Sequence, residues 1–219
     1  MKTIILACQT IKDEVEAARE RTGCLHEIVW VESGLHNVPD KLRARLQEEL
    51  DGLCDADRVL MAFGFCGNSM LGITAGNKEL VFPKVDDCIT LVLGSFAARR
   101  AILDKSPTYF LTQGWLTHES NIWKEYEYSL EKYGEENTAI IYDMLLANYR
   151  SLGVIDTGCY DYEEFCKRAA VIADTLKLKL ERHNGTISYI SELLTGPWNE
   201  ERYITIPPGG VVTMEMLVC

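Results

Sequence analysis

The stretch RVLMAFGFCGNSMLG, residues 58–72, passes from an apolar run directly into a turn that holds three glycines and a cysteine. A short apolar run that ends at glycine predicts a buried strand. Gly64 and Gly67 allow the backbone to turn tightly and to approach a ligand closely. Ligands of open α/β sheets bind at the carboxyl ends of the strands, so we predict that Cys66 faces a ligand.

The same alternation of apolar runs with polar or amphipathic segments continues along the whole chain. The predicted strands are residues 3–8, 26–31, 58–64, 79–83, 108–114, 153–158, 177–183 and 202–210. Residues 88–103 are predicted as a single, mostly buried helix. Strands that alternate with helices predict βαβ units. We therefore predict an α/β fold with a mainly parallel sheet of Rossmann-like units. It forms one domain over residues 1–219, with two closely packed lobes, 1–115 and 116–219, as the alternative.

Composition and charge exclude several classes of partner. The chain has 219 residues and a formal net charge of -11, and an acidic surface disfavours nucleic acid and anionic lipid. No apolar run approaches the roughly 18 residues of a membrane span. The apolar part of the N-terminus is too short for a signal peptide. We predict a cytoplasmic protein with neither nucleic-acid nor membrane partners.

Eight cysteines are many for a chain of this length. In a reducing compartment they are thiols, so metal binding or thiol chemistry competes with simple burial. The chain has no CxxC motif, so a metal site must be assembled from distant segments. Cys8 ends the first predicted strand, Cys66 follows the third, and Cys88 begins the helix after the fourth. We predict that these three bind one metal ion, with burial as small hydrophobic residues as the alternative. The cysteines predicted to be structural or terminal are Cys24, Cys54, Cys166 and Cys219.

Other polar residues follow predicted strands at the same edge. His36 is predicted as a fourth metal ligand or a catalytic group, with His118 as the second choice. Cys159 is a reserve ligand. Asp87 is predicted to orient a ligand or to act as a base, and the alternative is a helix N-cap. The residues predicted to contact a cofactor or substrate are Gly67, Asn68, Trp115 and Asp156.

Several common motifs are missing from the sequence. The chain has no GxGxxG after the first strand, and no GxxxxGK[ST], GxSxG or HExxH motif. A standard nicotinamide site, a P-loop, a serine hydrolase and a zincin are therefore disfavoured.

Six segments, in order, resemble the family called domain of unknown function 1638: LHNVP, FGFCGNSMLG, PKVDDCITLVLGS, YFLTQGWL, VIDTG and LLTGPWNEERYITIPPG. The resemblance runs from Cys8 to about Gly209. It implies an association with corrinoid-dependent methyl transfer in anaerobic bacteria and methanogens. The chain departs from the expected pattern at FGFCGN, where a tyrosine is expected, and at PKVDD, where arginine is expected in place of lysine. Neither change removes a predicted ligand.

Together these features predict a metal-dependent enzyme with a cysteine-ligated site at the carboxyl ends of the strands. Zinc is the expected metal, and an iron–sulfur cluster is the alternative. The expected chemistry resembles that of a zinc–thiolate methyltransferase acting with a small thiol or methyl donor and a corrinoid protein. A non-catalytic carrier of metal or corrinoid is the alternative of another class.

Overall fold

The computed structural model describes residues 1–118 and 121–218, and within them the chain is α/β. The strands are β1 Thr3–Cys8, β2 Glu27–Val31, β3 Arg58–Ala62, β4 Glu79–Pro83, β5 Thr108–Leu111, β6 Ser151–Asp156, β7 Lys179–Asn184 and β8 Tyr203–Ile206. The helices are α1 Lys12–Thr22, α2 Pro39–Gly52, α3 Cys88–Leu93, α4 Phe96–Leu103, α5 Gln113–Thr117, α6 Ile122–Leu145, α7 Tyr162–Thr175 and α8 Ser188–Thr195. The eight predicted strands are thus confirmed.

The larger sheet has five strands in the order β2-β1-β3-β4-β8. β1 pairs in parallel with β2 and β3, and β3 in parallel with β4, whereas β8 is antiparallel to β4. β1, an interior strand of this sheet, is buried from Ile4 to Cys8. A near-continuous apolar run is typical of a strand covered on both faces. The carboxyl ends of β1, β2, β3 and β4 therefore lie at one edge, as the mainly parallel prediction requires.

The smaller sheet has three parallel strands in the order β5-β6-β7. Its core is a separate cluster of buried side chains that includes Leu152, Val154 and Phe165. The sheets do not divide the chain at residue 115, because β5 precedes that position and β8 returns to the larger sheet. The organisation of the chain as one domain, with two lobes as the alternative, stays a prediction.

The prediction of one helix over residues 88–103 is wrong. Gly94 has a left-handed backbone with φ of 85° and ends α3, and the Ser95 side chain then caps α4 by accepting from Ala98 N at 3.0 Å. A Ser N-cap directly after a left-handed glycine is the usual boundary between two helices. Every residue of α3 is buried, whereas α4 has none that is fully buried.

The two sheets meet through close backbone approaches. A Cβ atom on Gly114, in α5, would lie 2.1 Å from the carbonyl oxygen of Thr10. Thr186, just after β7, donates its N–H to the carbonyl of Val92 in α3 at 2.7 Å. Glycine at position 114 is therefore required for α5 to lie against the turn that follows β1.

Candidate active site

A cavity of about 180 Å³ lies at the carboxyl ends of β1, β2 and β3. Its lining combines thiols, aromatic and aliphatic groups and two ionisable side chains: Cys8, Thr10, Glu32, His36, Leu42, Phe63, Cys66, Gly67, Cys88 and Trp115. The cavity thus contains all three predicted cysteine ligands together with His36, Gly67 and Trp115. Convergent polar groups in a mostly apolar cavity are typical of a small-molecule site.

The turn after β3 has an unusual backbone. Cys66, Gly67 and Asn68 are consecutive residues with φ of 45°, 65° and 68°. A left-handed cysteine costs of order 1–3 kcal/mol unless its surroundings hold it, and such residues concentrate at functional sites. The surroundings do hold it here, because Cys66 N donates to the carbonyl of Asp86 at 2.7 Å and Phe65 N to that of Val85 at 2.8 Å.

Gly64 brings this turn against the start of α3. A Cβ atom at position 64 would lie only 2.5 Å from Cα of Asp87. No other residue fits without moving one of the two segments. The contact places Cys66 beside Cys88, although 22 positions separate them in the sequence.

The three cavity thiols form a row with Cys88 in the middle. Cys8 and Cys88 are 7% and 4% exposed, and Cys66 is half-buried. Hydrogen bonding with Cys88 and then burial raise the pKa of the Cys8 thiol well above its ordinary value. Hydrogen bonding with Cys66, followed by burial, raises the pKa of the Cys88 thiol, even though Cys8 and the Gly64 backbone act in the opposite direction. Cys8 and Cys88 are therefore uncharged thiols at neutral pH.

Two contacts close the wall of the cavity on the β1 side. Cys8 Sγ lies 2.9 Å from the hydroxyl oxygen of Thr10. The close approach of Gly114 to Thr10 positions the next residue, Trp115, at the cavity. The Trp115 ring packs edge-on against the His36 ring, with centroids 6.2 Å apart.

The charge of Asp87 affects the pKa of His36. Burial lowers the pKa of His36, and the nearby Asp87 and Glu125 partly oppose this. The imidazole is therefore uncharged at neutral pH, which is the form that binds metals or accepts a proton. Burial raises the pKa of Asp87, whereas a hydrogen bond from Thr90 N and the charge of Arg99 lower it.

Asp87 also has the structural role that we gave as the alternative. Its carboxylate accepts from Thr90 N at 2.9 Å and caps α3. Arg99 contacts both neighbouring carboxylates, with Nη1 2.7 Å from Asp86 and 2.8 Å from Asp87. Asp87 does not line the cavity and acts on it through the effect of its charge on His36.

Several predicted site residues lie elsewhere. Asn68 is exposed, and its carbonyl accepts from Arg43 at 3.1 Å. Asp156 ends β6 in the other sheet and accepts from Gly158 N at 2.9 Å. Cys159 donates to the Thr157 carbonyl at 3.4 Å and does not line the cavity. The cysteines of the first group, not Cys159, are thus the ones that converge.

His118 also lies outside the cavity lining. Cys24 and Cys54 lie away from it, at helix–strand junctions, and Cys166 is buried in α7. Cys219, together with Glu119 and Ser120, lies outside the described residues. Within residues 1–118 and 121–218, no three His, Cys, Asp or Glu side chains already have positions that could hold a metal ion.

Sequence reasoning missed four cavity residues, which are Thr10, Glu32, Leu42 and Phe63. Glu32 follows β2 directly, so the rule that selected Cys8 and Cys66 could have found it. Leu42 and Phe63 sit in apolar patterns that predict only core positions. Nothing in the sequence distinguished Thr10.

A second unexpected group is Glu14, which is fully buried in α1. Its Oε1 accepts from the Thr157 hydroxyl at 2.9 Å, whereas its Oε2 has no partner among the described residues. Burial raises the pKa of Glu14 to about 7. This carboxyl joins α1 of the larger sheet to the end of β6 in the smaller one.

The family can be assigned from a match to one family model. Residues 30–194 match the model described as "Protein of unknown function (DUF1638)". The match covers most of the chain. The chain belongs to the DUF1638 family. The resemblance found in the sequence is thereby confirmed.

The matched region of this DUF1638 protein contains His36, Cys66, Asp87, Cys88 and Trp115. β1, with Cys8, precedes it. Searches among curated proteins and among solved structures yield no match. In the described part of the chain, none of the helices is both long and apolar enough to cross a membrane.

Proposed function

We propose that this protein is a metal-dependent enzyme that holds one zinc ion through Cys8, Cys66 and Cys88. The observation that carries the proposal is the row of interacting thiols, which come from three separate segments and line one cavity. Three protein ligands and one exchangeable position suit catalytic zinc. His36 is the candidate for the fourth position when no substrate is bound.

Zinc would bind by replacing the interactions among the uncharged thiols. In the described part of the chain no three potential ligands already surround a common centre, so the cysteine side chains must rotate to become ligands. Each thiol must also release its proton. Because hydrogen bonding and burial raise the pKa of Cys8 and Cys88, zinc affinity should increase steeply with pH.

The proposed reaction is methyl transfer to a substrate thiol. A bound zinc ion favours the thiolate form of such a substrate at neutral pH. His36, uncharged in its buried position, can accept the proton that the thiol releases, and Asp87 stabilises the resulting imidazolium. The substrate sulfur would then form a bond to the methyl carbon of the donor. A methylated corrinoid would supply that methyl group and would keep the electron pair of the cobalt–carbon bond that is lost.

The size of the cavity limits how such a donor could be presented. A volume of about 180 Å³ is close to that of cavities that hold benzene, so it admits a small substrate and excludes a corrinoid ring. A corrinoid protein would therefore dock at the mouth of the cavity. The corrinoid association that the family resemblance implies supports this choice of donor.

Two alternatives use the same cysteines. An iron–sulfur cluster would make the site a redox centre. A carrier that delivers metal or corrinoid to partner enzymes would bind the same ligands without catalysis. The accessible cavity beside the thiols favours the enzyme, because a carrier with a fully occupied set of ligands needs no substrate space.

Elemental analysis with a visible spectrum tests the proposal on protein purified without oxygen and without a chelating tag. We expect about one zinc per chain and no visible absorbance. Cys66→Ser and Cys88→Ser should lose most of the zinc. Cys24→Ser and Cys54→Ser, at cysteines away from the cavity, should keep it.

Three results would contradict zinc binding at this site. Brown protein with iron and sulfide would favour the cluster. Zinc that survives both cavity substitutions would place the metal elsewhere. If the purified protein contains no metal and takes up none on reconstitution, the cavity is a metabolite pocket lined by buried thiols.

A further inference from the structure

The charge of the cavity restricts what it can bind. Among residues 1–118 and 121–218, no lysine or arginine lines it, and Glu32 is the one carboxylate among its lining groups. A carboxylate, sulfonate or phosphate would therefore find no lysine or arginine in this lining.

The arginine beside Glu32 is outnumbered by carboxylates. Arg45 contacts three of them, with Nε 3.3 Å from Glu32, Nη1 3.2 Å from Glu48, and Nη2 in contact with Glu49. This group therefore has more negative than positive charge.

The same imbalance holds on the other side of the cavity. Arg99 is shared between Asp86 and Asp87. The net charge of -11 acts in the same direction over longer distances. Three thiolates on a divalent ion would add one further negative charge.

The remaining walls suit an apolar body. Leu42 and Phe63 are buried at the cavity, and the half-buried Trp115 closes it. Aromatic rings and a nearby carboxylate are the usual surroundings of a methylated cation. At about 180 Å³ the cavity accepts a molecule only slightly larger than benzene.

We propose that the substrate thiol of this cavity is part of a small organic cation that carries its charge on a methylated nitrogen or on a second, methylated sulfur. The inference rests on the proposed function in taking the cavity as the substrate site. It goes further by excluding anionic substrates and by assigning Glu32 as the residue that selects for positive charge.

Three probes of one shape test the charge preference. Choline, 3,3-dimethyl-1-butanol and 3,3-dimethylbutyrate share a trimethylated head and are cationic, neutral and anionic. Calorimetric titration of each into the metal-free full-length protein should rank them in that order. We expect choline to bind about fivefold more tightly than the alcohol, and the carboxylate more weakly still.

A pair of variants locates the preference. Glu32→Gln should lower the affinity for choline until it is close to the affinity for the alcohol. The affinity for the alcohol should change by less than about twofold. Glu48→Gln removes a carboxylate that shares Arg45 but does not line the cavity, so it should leave the ranking unchanged. Equal binding of the three probes, tighter binding of the carboxylate, or no binding of choline would overturn the proposal.

The test separates this inference from the metal proposal, because the titration needs no zinc. If the protein ranks the probes in the expected order but never binds metal, only the zinc proposal is contradicted. If the protein binds zinc but prefers the carboxylate, only the cation proposal is contradicted. The same titrations on zinc-loaded protein should widen the preference for choline, since the bound thiolates are negative.

Discussion

Polar residues and cysteines follow strands at the carboxyl ends of both sheets, but the two edges have different structures. At the larger sheet, Cys8 and Cys66 line a cavity. At the smaller sheet, Asp156, Thr157 and Cys159 also follow a strand. There Thr157 bonds to the buried Glu14, which arrives from α1 and joins the two sheets.

The difference teaches that a polar residue at a strand end is not by itself a binding residue. What separates the two edges is the backbone next to them. The turn at Cys66–Asn68 has three consecutive left-handed residues and leaves a cavity. After β6, the Thr157 hydroxyl instead bonds to Glu14 of α1, whereas Asp156 and Cys159 bond within their own turn.

The largest effect should come from breaking the approach that forms the cavity. Gly64→Ala places a methyl group 2.5 Å from the Asp87 backbone, so one segment must move. We expect a loss of about 3 kcal/mol or more in the free energy of unfolding, measured with urea. Any metal bound by Cys66 and Cys88 should be lost as well.

Gly52→Ala is the matched control. Gly52 is the last residue of α2, and a Cβ there would meet nothing within 4 Å. Its stability should stay equal or rise by a few tenths of a kcal/mol. Equal stabilities of the two variants would show that the contact at Gly64 does not hold the cavity together.

The next effect tests the other edge through pH. Burial raises the pKa of Glu14 from 4.5 to about 7. Between these values the unfolded chain releases the proton and the folded chain keeps it, so stability falls as pH rises from 4.5 to 7. The total fall is about 3 kcal/mol, and above pH 7 this contribution is constant.

Glu14→Gln should remove that fall. An amide oxygen can still accept from Thr157 without carrying a charge, so the variant should be about 1–3 kcal/mol more stable than the parent at pH 8. Glu16→Gln, on the same helix but with its side chain 41% exposed, should follow the parent. Parallel pH profiles of parent and Glu14→Gln would refute the buried carboxyl as the cause.

The smallest effect concerns His36. Asp87→Asn keeps a good N-cap for α3 but removes the negative charge that raises the pKa of His36. We expect that pKa to fall further below its ordinary value, as followed by proton NMR. Asp57→Asn, beside Lys2 at the opposite edge, should leave it unchanged. An unchanged pKa in both variants would separate Asp87 from the cavity.

The fold could be predicted because its signals are local. Apolar runs such as residues 3–8 and 79–83 give their strands directly, and glycines and prolines mark the ends. The break of residues 88–103 into two helices is missed because apolar residues lie on both sides of it. Gly94 and Ser95 carried the signal for that break.

The site could be predicted only in part, because tertiary contacts decide it. The rule of strand ends selects Cys8, Cys66 and His36, which line one cavity, but it selects Asp156 equally. Only the packing of Glu14 against Thr157 shows that the second edge is filled. The zinc ion and its chemistry stay a proposal.

X-ray absorption at the zinc edge, on full-length protein loaded with one equivalent of zinc, tests the central claim most directly. The account predicts a coordination shell with three sulfur atoms at about 2.3 Å and one nitrogen or oxygen atom, reduced to two sulfur atoms in Cys88→Ser. A shell without sulfur, or one that Cys88→Ser leaves unchanged, would contradict it.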